Sequence, residues 1–498
     1  MNADWRKLLS GTGIRGTDEA LTDEFAAKFG YAFAQWLAKE LDTTTDLLTI
    51  AVGRDTRLSG RRLSRALIKG FTAADCDVLD CGVSASPAVF MTLNRHSRRA
   101  DGAVMITGGH LPGEMNGFKL AARTDAPDGE EIAAMIENAI QLRLPERLVS
   151  YERPMESYAE YLGECAREFL QDDALRPLIG LHVVVDSSNG AGGFFADFLE
   201  DLGADTTGSY NQQPDGRYPD HAPDIAAPGA LENLARKVME EEADLGVMFD
   251  ADCERAAIVD GDGTIITGNR LIALLSAKLL DDQPGATIVT DSVTSSGLTR
   301  FINEWGGVHY RFKRGNRNVI EEARRLVGEG IDCPLAIETS GHAAFRDNNF
   351  LDDGVYLATM LVCYAYDLKR SDKNLSMLIS DLSEPVESTE IRLRIDSDDI
   401  KQAARDVIEV VLSNTLENPE WRLATDSREG VRILFNLEGG VENAWIQLRM
   451  SVHDPAVMVL NAESDVEGGI KKMLTEFHQL LVETECELDL NPVKDAIN

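Results

Sequence analysis

Short apolar runs that end in Gly, Asp or Asn alternate along this chain with longer stretches whose apolar residues recur every three to four positions. The first round predicts strands over Leu47 to Val52, Val78 to Cys81 and Ala103 to Ile106, with helices over Arg61 to Ala74 and Glu130 to Leu142. After a Pro- and charge-rich passage near 144 to 155 the pattern restarts. It runs through strand His182 to Asp186, helices Gly193 to Leu202 and Gly229 to Glu242, and strand Leu245 to Phe249. A third round follows Asn269, with helix Arg270 to Leu280, strand Ala286 to Thr290, helix Val319 to Val327, strand Pro334 to Ile337 and helix Gly354 to Leu368. Strands that alternate with amphipathic helices predict βαβ units. Three α/β domains in series are therefore expected, over 1–150, 151–268 and 269–386.

Beyond Glu387 the strand signals outnumber the helical ones. Glu390 to Ile395, Val431 to Leu437, Trp445 to Ser451 and Val457 to Ala462 read as strands, and Ile400 to Leu412 and Val466 to Glu483 as helices. This predicts a C-terminal α+β domain over 387–498.

Composition narrows the function classes. A chain of 498 residues exceeds a single core, and 44% hydrophobic with 27% charged residues is ordinary for a globular protein. The formal net charge of -35, from 84 acidic against 49 basic residues, argues against nucleic acid or an anionic membrane held by a general positive field. An anionic ligand would need a local basic pocket. The seven cysteines, at 76, 81, 165, 253, 333, 363 and 486, are odd in number and form no Cys-x-x-Cys pair. They predict neither a disulfide framework nor a zinc cluster, and fit a reducing compartment. Without a signal-like start or an apolar run of about 18 residues, the chain is expected to be soluble and intracellular, in a cytoplasm or an organelle stroma.

Four loops carry candidate chemistry. Residues 105–119 read Met-Ile-Thr-Gly-Gly-His-Leu-Pro-Gly-Glu-Met-Asn-Gly-Phe-Lys, a Gly-rich loop behind an apolar strand, with His110 and Lys119 suited to phosphate. Adjacent glycines serve an ordinary tight turn equally well. Asp250, Asp252 and Glu254 follow the strand Leu245 to Phe249 at alternate positions. In an extended loop they would project to one side as three hard oxygen donors, suited to Mg²⁺, with Arg255 beside them; the alternative is a solvated acidic turn. Glu338-Thr-Ser340-Gly341-His342 places a carboxylate and a hydroxyl two residues apart, able to bridge vicinal sugar hydroxyls or to cap a helix. Arg449 and Ser451 join two strands of the last domain, as a phosphate fork or as an exposed turn. Further polar stretches are Ser10 to Gly16 with Arg15, Val52 to Ser59 with Arg54, Asp55 and Arg57, and Val185 to Gly192.

In this order the motifs resemble the α-D-phosphohexomutase family, which includes phosphoglucomutase, phosphomannomutase and phosphoglucosamine mutase. The resemblance runs from Gly13-Ile-Arg-Gly16 to Pro455. It implies three α/β domains and a C-terminal phosphate-binding domain around a central cleft. The implied chemistry is a phosphoserine that hands its phosphoryl group to a hexose phosphate and takes another back. Asp250, Asp252 and Glu254 correspond to the metal ligands, the last being Asp in the family, so Mg²⁺ is the implied cofactor. Glu338, Ser340 and His342 match the sugar loop, with Ile337 in place of its first Gly, and Arg317, Arg449 and Ser451 join them as substrate contacts. Lys119, with a pKa lowered beside Arg15 and the metal, is the implied proton-transfer group, and Arg15, Arg255 and His110 complete the catalytic set.

Two departures qualify this. The phosphoserine position is Gly109, within Thr107-Gly-Gly-His-Leu-Pro112. The distal loop carries Val452, His453 and Asp454 where the family has Gly-Thr-Glu, and the basic residue usual soon after it stands as Met458. Glycine offers no oxygen to a phosphoryl group. One expectation is a divergent mutase using a hexose 1,6-bisphosphate from solution, His110 as a substitute acceptor, or water; the other is a noncatalytic sugar-phosphate binder, a sensor or partner subunit.

Overall fold

The computed structural model describes residues 8–10, 13–94, 99–124, 126–138, 148–452, 454–484 and 486–497. It divides into two compact units, Met1–Ile266 with Leu351–Ser376, and Thr267–Phe350 with Met377–Asn498. The first unit is thus discontinuous in sequence.

Its larger sheet runs in the order Leu9–Ser10, Gly13–Thr17, Met115–Ala122, Gly102–Ile106, Thr49–Arg54, Asp77–Val83, Val149–Tyr151. The strand ahead of the Gly-rich loop, Gly102–Ile106, is buried throughout. It pairs in parallel with Thr49–Arg54 and antiparallel with Met115–Ala122, so the sheet is mixed. One core cluster packs Phe25, Phe29, Phe33 and Leu37 of the helix Asp23–Glu40 against Leu63, Leu67 and Phe71 of the helix Gly60–Ala73 and the inward residues of the strands. The sequence reading passed over Asp23–Glu40. Its start is nonetheless marked by Thr22, whose hydroxyl accepts from the Phe25 amide at 3.1 Å, followed by Asp23 and Glu24 in the first turn. The expected helix over 130–142 is observed as Gly129–Asn138, and 139–142 lie outside the described residues.

The smaller sheet of this unit runs Ile265–Ile266, Ala256–Asp260, Leu245–Phe249, Val183–Asp186. Leu245–Phe249 and Ala256–Asp260 form an antiparallel hairpin, buried along both strands. The charge-rich passage near 144–155 gives way at once to a helix, Pro154–Leu170, rather than extending as a linker, with proline in the first turn where its missing N–H costs nothing. Gly354–Lys369 returns to pack beside that helix and against the hairpin. Asp353 caps it, accepting from the Val355 and Tyr356 amides at 3.1 and 2.9 Å, and also accepts from the buried Tyr158 hydroxyl at 2.5 Å.

In the second unit, Thr287–Thr290 pairs in parallel with Val308–Arg311 and Leu335–Ile337, and Leu335–Ile337 pairs antiparallel with Ala343–Phe345. The C-terminal sheet is antiparallel throughout, in the order Glu387–Arg394, Val457–Ser464, Ala444–Met450, Val431–Phe435, Arg422–Leu423. The helices Ile400–Glu417 and Gly469–Glu483 bury Val407, Val411, Met473 and Phe477 in the core of that domain. Met458 belongs to this core, so the departure noted there is a packing residue. No disulfide joins any of the seven cysteines among the described residues. Among the described residues no helix is long and apolar enough to cross a membrane.

Candidate functional site

The first cluster grows from two neighbouring strands. Register pairs Arg15 with Gly117 and Gly13 with Lys119, so strand alternation puts the Arg15 and Lys119 side chains on one face. Gly117 leaves the room: a Cβ there would lie 2.0 Å from the Ile14 carbonyl oxygen and 2.6 Å from Arg15 Nη1. Arg15 Nη1 donates to the Thr107 carbonyl at 2.7 Å, reaching the start of the Gly-rich loop.

The acidic loop meets the same face. It is a tight turn at the hairpin tip and not an extended segment, because the Cys253 amide bonds the Asp250 carbonyl at 3.3 Å and Cys253 takes a positive φ of 63°. The carboxylates still converge. Lys119 Nζ lies 2.7 Å from Asp252 Oδ2 and 2.5 Å from Glu254 Oε2, and Asp252 Oδ2 also accepts from Ser86 Oγ at 2.7 Å. Asp250 Oδ1 accepts from the Arg255 amide at 3.2 Å. Asp252 Oδ1 is buried without a hydrogen-bond partner among the described residues. An orphaned carboxylate oxygen in the interior is costly, and a hard divalent cation would satisfy it. The residues present therefore fit Mg²⁺.

Charge states follow from this packing. Burial pushes the Asp250 carboxyl well above the usual range, and Asp252 adds to the effect. Burial also acts to raise Asp252, but Lys119, Ser86 and Arg15 outweigh it and hold the group below the ordinary value. For Lys119 burial is the largest effect and lowers the pKa; Asp252 and Glu254 overcome it, and the net shift is upward. Two carboxylates within salt-bridge distance thus favour the ammonium, against the lowering that Arg15 supplies.

In the Gly-rich loop Gly109 is buried at a positive φ of 59°. Apart from its chain neighbours, a Cβ built there would meet, among the described residues, Lys119 Nζ at 3.7 Å and Asp252 Oδ1 at 3.8 Å. The position thus points at the ammonium and at the orphaned oxygen. Its neighbour His110 has Nδ1 2.8 Å from Arg255 Nη2. The structure brings Arg15, Gly109, His110, Lys119, Asp250, Asp252, Glu254 and Arg255 into one cluster. It adds Ser86, which the sequence reading missed because its signal, a Ser-Pro helix start, is ordinary.

A second cluster lies in the other unit. Glu338 Oε1 accepts from the Gly315 amide at 2.6 Å, and Oε2 accepts from Ser340 Oγ at 3.3 Å, so the expected carboxylate and hydroxyl are adjacent. The turn closes through the Glu338 amide on the His342 carbonyl at 2.9 Å, with Gly341 at a positive φ of 90°. Arg449 is buried on Ala444–Met450, and its Nε has no hydrogen-bond partner among the described residues. Ser451 Oγ accepts from the Asp454 amide at 3.2 Å; His453 lies outside the described residues. Arg317 pairs with Glu321 one turn along its own helix. Arg314 was not singled out from the sequence, yet it lies 4.0 Å from Asp291 and 3.8 Å from Glu390, which themselves surround Arg449 electrostatically.

Residues 6–144, 156–263 and 267–386 match the family profiles described as phosphoglucomutase/phosphomannomutase α/β/α domains I, II and III respectively. The chain is similar to a phosphomannomutase/phosphoglucomutase of Pseudomonas putida, 31% identical over 445 residues, covering 89% of each chain. It is also similar to a phosphoglucomutase of Neisseria meningitidis, 28% identical over 488 residues, covering 96% of this chain and 97% of the relative. Among solved structures, a phosphoglucomutase/phosphomannomutase family protein of Burkholderia thailandensis superposes with a TM-score of 0.78 at 28% identity, covering 96% and 98% of the two chains.

Proposed function

Because the chain belongs to the α-D-phosphohexomutase family, we propose that it binds hexose phosphates with Mg²⁺ and moves a phosphoryl group between sugar positions without a phosphoserine. The observation that carries this reading is the opening at Gly109: its side-chain direction faces Lys119 Nζ and Asp252 Oδ1, an oxygen without a hydrogen-bond partner among the described residues. A hexose 1,6-bisphosphate from solution then takes the place of the phosphorylated enzyme. One P–O bond of the bisphosphate breaks as another forms at a hydroxyl of the accepting sugar phosphate; that hydroxyl loses its proton and the departing sugar oxygen takes one up, leaving a hexose monophosphate and a new bisphosphate.

In this reading Lys119 acts as an ammonium that offsets charge on the transferring group and can donate a proton. Arg15 and Arg255 add positive charge, and His110, engaged by Arg255, contacts phosphate rather than accepting it. Asp250, Asp252 and Glu254 would hold the cation, whose contribution when bound is to neutralise phosphoryl oxygens. Glu338 and Ser340 present acceptor and donor to sugar hydroxyls, while Arg449 offers its free Nε to a phosphate oxygen. His342, Arg317 and Ser451 join Glu338, Ser340 and Arg449 as ligand contacts.

Gly109 also motivates a second reading, a sugar-phosphate binder that has lost turnover. A coupled assay of glucose 1-phosphate conversion to glucose 6-phosphate, with Mg²⁺ and with or without glucose 1,6-bisphosphate, separates the two. Turnover that requires the bisphosphate supports the mutase. No turnover by the wild type under either condition, with activity gained in Gly109→Ser, hands the lead to the binder.

A further inference from the structure

A single side chain lies behind the Gly-rich loop and uses all its donors on it and on one carboxylate. Arg57 is buried, with 1% of its surface exposed. Its Nε donates to Asp55 Oδ2 at 2.9 Å. Nη2 donates to the carbonyls of Gly109 at 2.5 Å and Leu111 at 2.7 Å, and Nη1 to those of Met115 at 2.8 Å and Pro112. Five N–H groups thus meet five acceptors, the full capacity of a guanidinium. Gly108 permits this approach, because a Cβ there would lie 2.4 Å from Arg57 Cζ.

Asp55 extends the grip to the other side of the same peptide. Its Oδ2 also accepts from Thr107 Oγ1 at 2.8 Å, and that hydroxyl accepts from the Gly109 amide at 2.7 Å. Gly109 is therefore held at its N–H by Thr107 and at its C=O by Arg57, both anchored on Asp55. The positive φ that aims this residue at Lys119 is imposed from behind the loop. The guanidinium also lies over the Tyr218 ring, 5.5 Å from its centroid.

We infer that Arg57 is a positioning residue for phosphoryl transfer: it fixes the loop from 109 to 115 through four backbone carbonyls, so that Gly109 faces the ammonium of Lys119 and Asp252 Oδ1. The inference rests on the reading above that this loop receives the phosphoryl group. A lysine at 57 would keep the charge beside Asp55 but has three donors on a point charge, so it cannot reproduce the fork.

The test is Arg57→Lys in the full chain, read by amide hydrogen exchange over 108–116 with Thr49–Arg54 as the internal reference, and by the kinetics of the bisphosphate-dependent reaction. Exchange over 108–116 should rise by about tenfold or more while the reference strand holds, and kcat should fall about 100-fold with KM little changed, as a displaced but still bound ligand requires. Exchange that is unchanged over 108–116, or that rises equally in the reference strand, overturns the inference, as does a local rise that leaves kcat intact. Should Arg57→Lys fail to fold, Arg57→Ala with guanidinium ion added replaces it; restoration of both readouts by the ion supports the role and its absence refutes it. A wild type without turnover would sink the mutase reading separately. The kinetic arm is then replaced by calorimetric binding of glucose 1,6-bisphosphate with Mg²⁺, where Arg57→Lys must lose about tenfold in affinity for the inference to stand.

Discussion

Adding one methyl group at Gly108 and one at Gly109 should have very different consequences, and the difference can be worked from distances. At Gly109 a Cβ finds ordinary contacts, 3.7 and 3.8 Å to its nearest neighbours, so the cost of Gly109→Ala is that of a non-glycine residue at φ 59°, about 1–2 kcal/mol. At Gly108 the Cβ would stand 2.4 Å from Arg57 Cζ and 2.7 Å from Nε and Nη1. Carbon contacts relax near ~3.5 Å, so the guanidinium must retreat by roughly 1 Å. That retreat breaks bonds to buried carbonyls and loosens the ion pair with Asp55, and disrupting such a pair costs about 3–5 kcal/mol. Gly108→Ala should therefore be the more destabilising by about 2 kcal/mol, read as the shift of the same unfolding transition in urea for both variants. Gly109→Ser should fold about as well as Gly109→Ala and, incubated with glucose 1,6-bisphosphate and Mg²⁺, gain the mass of one phosphoryl group on the peptide spanning 107–112. The reasoning fails if Gly108→Ala is as mild as Gly109→Ala, or if a folded Gly109→Ser is never labelled.

Three further outcomes are expected. Asp252→Asn should weaken Mg²⁺ binding by about tenfold or more in calorimetry, since it removes the charge of the carboxylate whose Oδ1 is unpartnered; unchanged affinity would move the cation elsewhere. Arg449→Lys should weaken hexose-phosphate binding by about tenfold through loss of the Nε donor, and an unaltered dissociation constant would refute its role. At His221 burial lowers the pKa, but hydrogen bonds to Asp186 and the Ala222 carbonyl outweigh it and raise the folded value above the ordinary 6.5. The stabilisation is thus complete below the unfolded pKa and disappears as pH rises through the folded one. The urea midpoint should fall between pH 6 and about 8.5 in the wild type more than in His221→Asn, and equal slopes would exclude the pair as the cause.

Much of this architecture was written in local pattern. Strands buried on both faces, such as Leu245–Phe249, are continuous apolar runs, and for this strand the bounds were read to the residue. Gly13–Thr17 was not seen as a strand, because Gly-Ile-Arg-Gly-Thr has little strand propensity and is held by pairing with Met115–Ala122, about a hundred residues away. The candidate site shows the same division. Carboxylates, Lys119 and Glu338 stood out by residue type, and Asp55 and Arg57 within a polar stretch, whereas the grip of Arg57 on the Gly-rich loop and the contacts of Ser86 and Arg314 depend on partners distant in sequence. Electrostatics was the least legible layer: the direction of the Lys119 shift depends on Asp252 and Glu254 both reaching its ammonium, a fact of the folded turn.

The return of Gly354–Lys369 to the first unit sets a timetable for synthesis. The hairpin strand Ala256–Asp260 leaves the ribosome more than a hundred residues before the helix that packs against it has been made. At translation rates of roughly 5–20 residues per second, that face waits for on the order of 5–20 s. During this interval the nascent first unit lacks both the Tyr158 partner at Asp353 and the helix behind the acidic turn. Its completion is therefore tied to emergence of the intervening segment 267–350, and a ribosome stalled before residue 369 would display an unfinished apolar surface to chaperones.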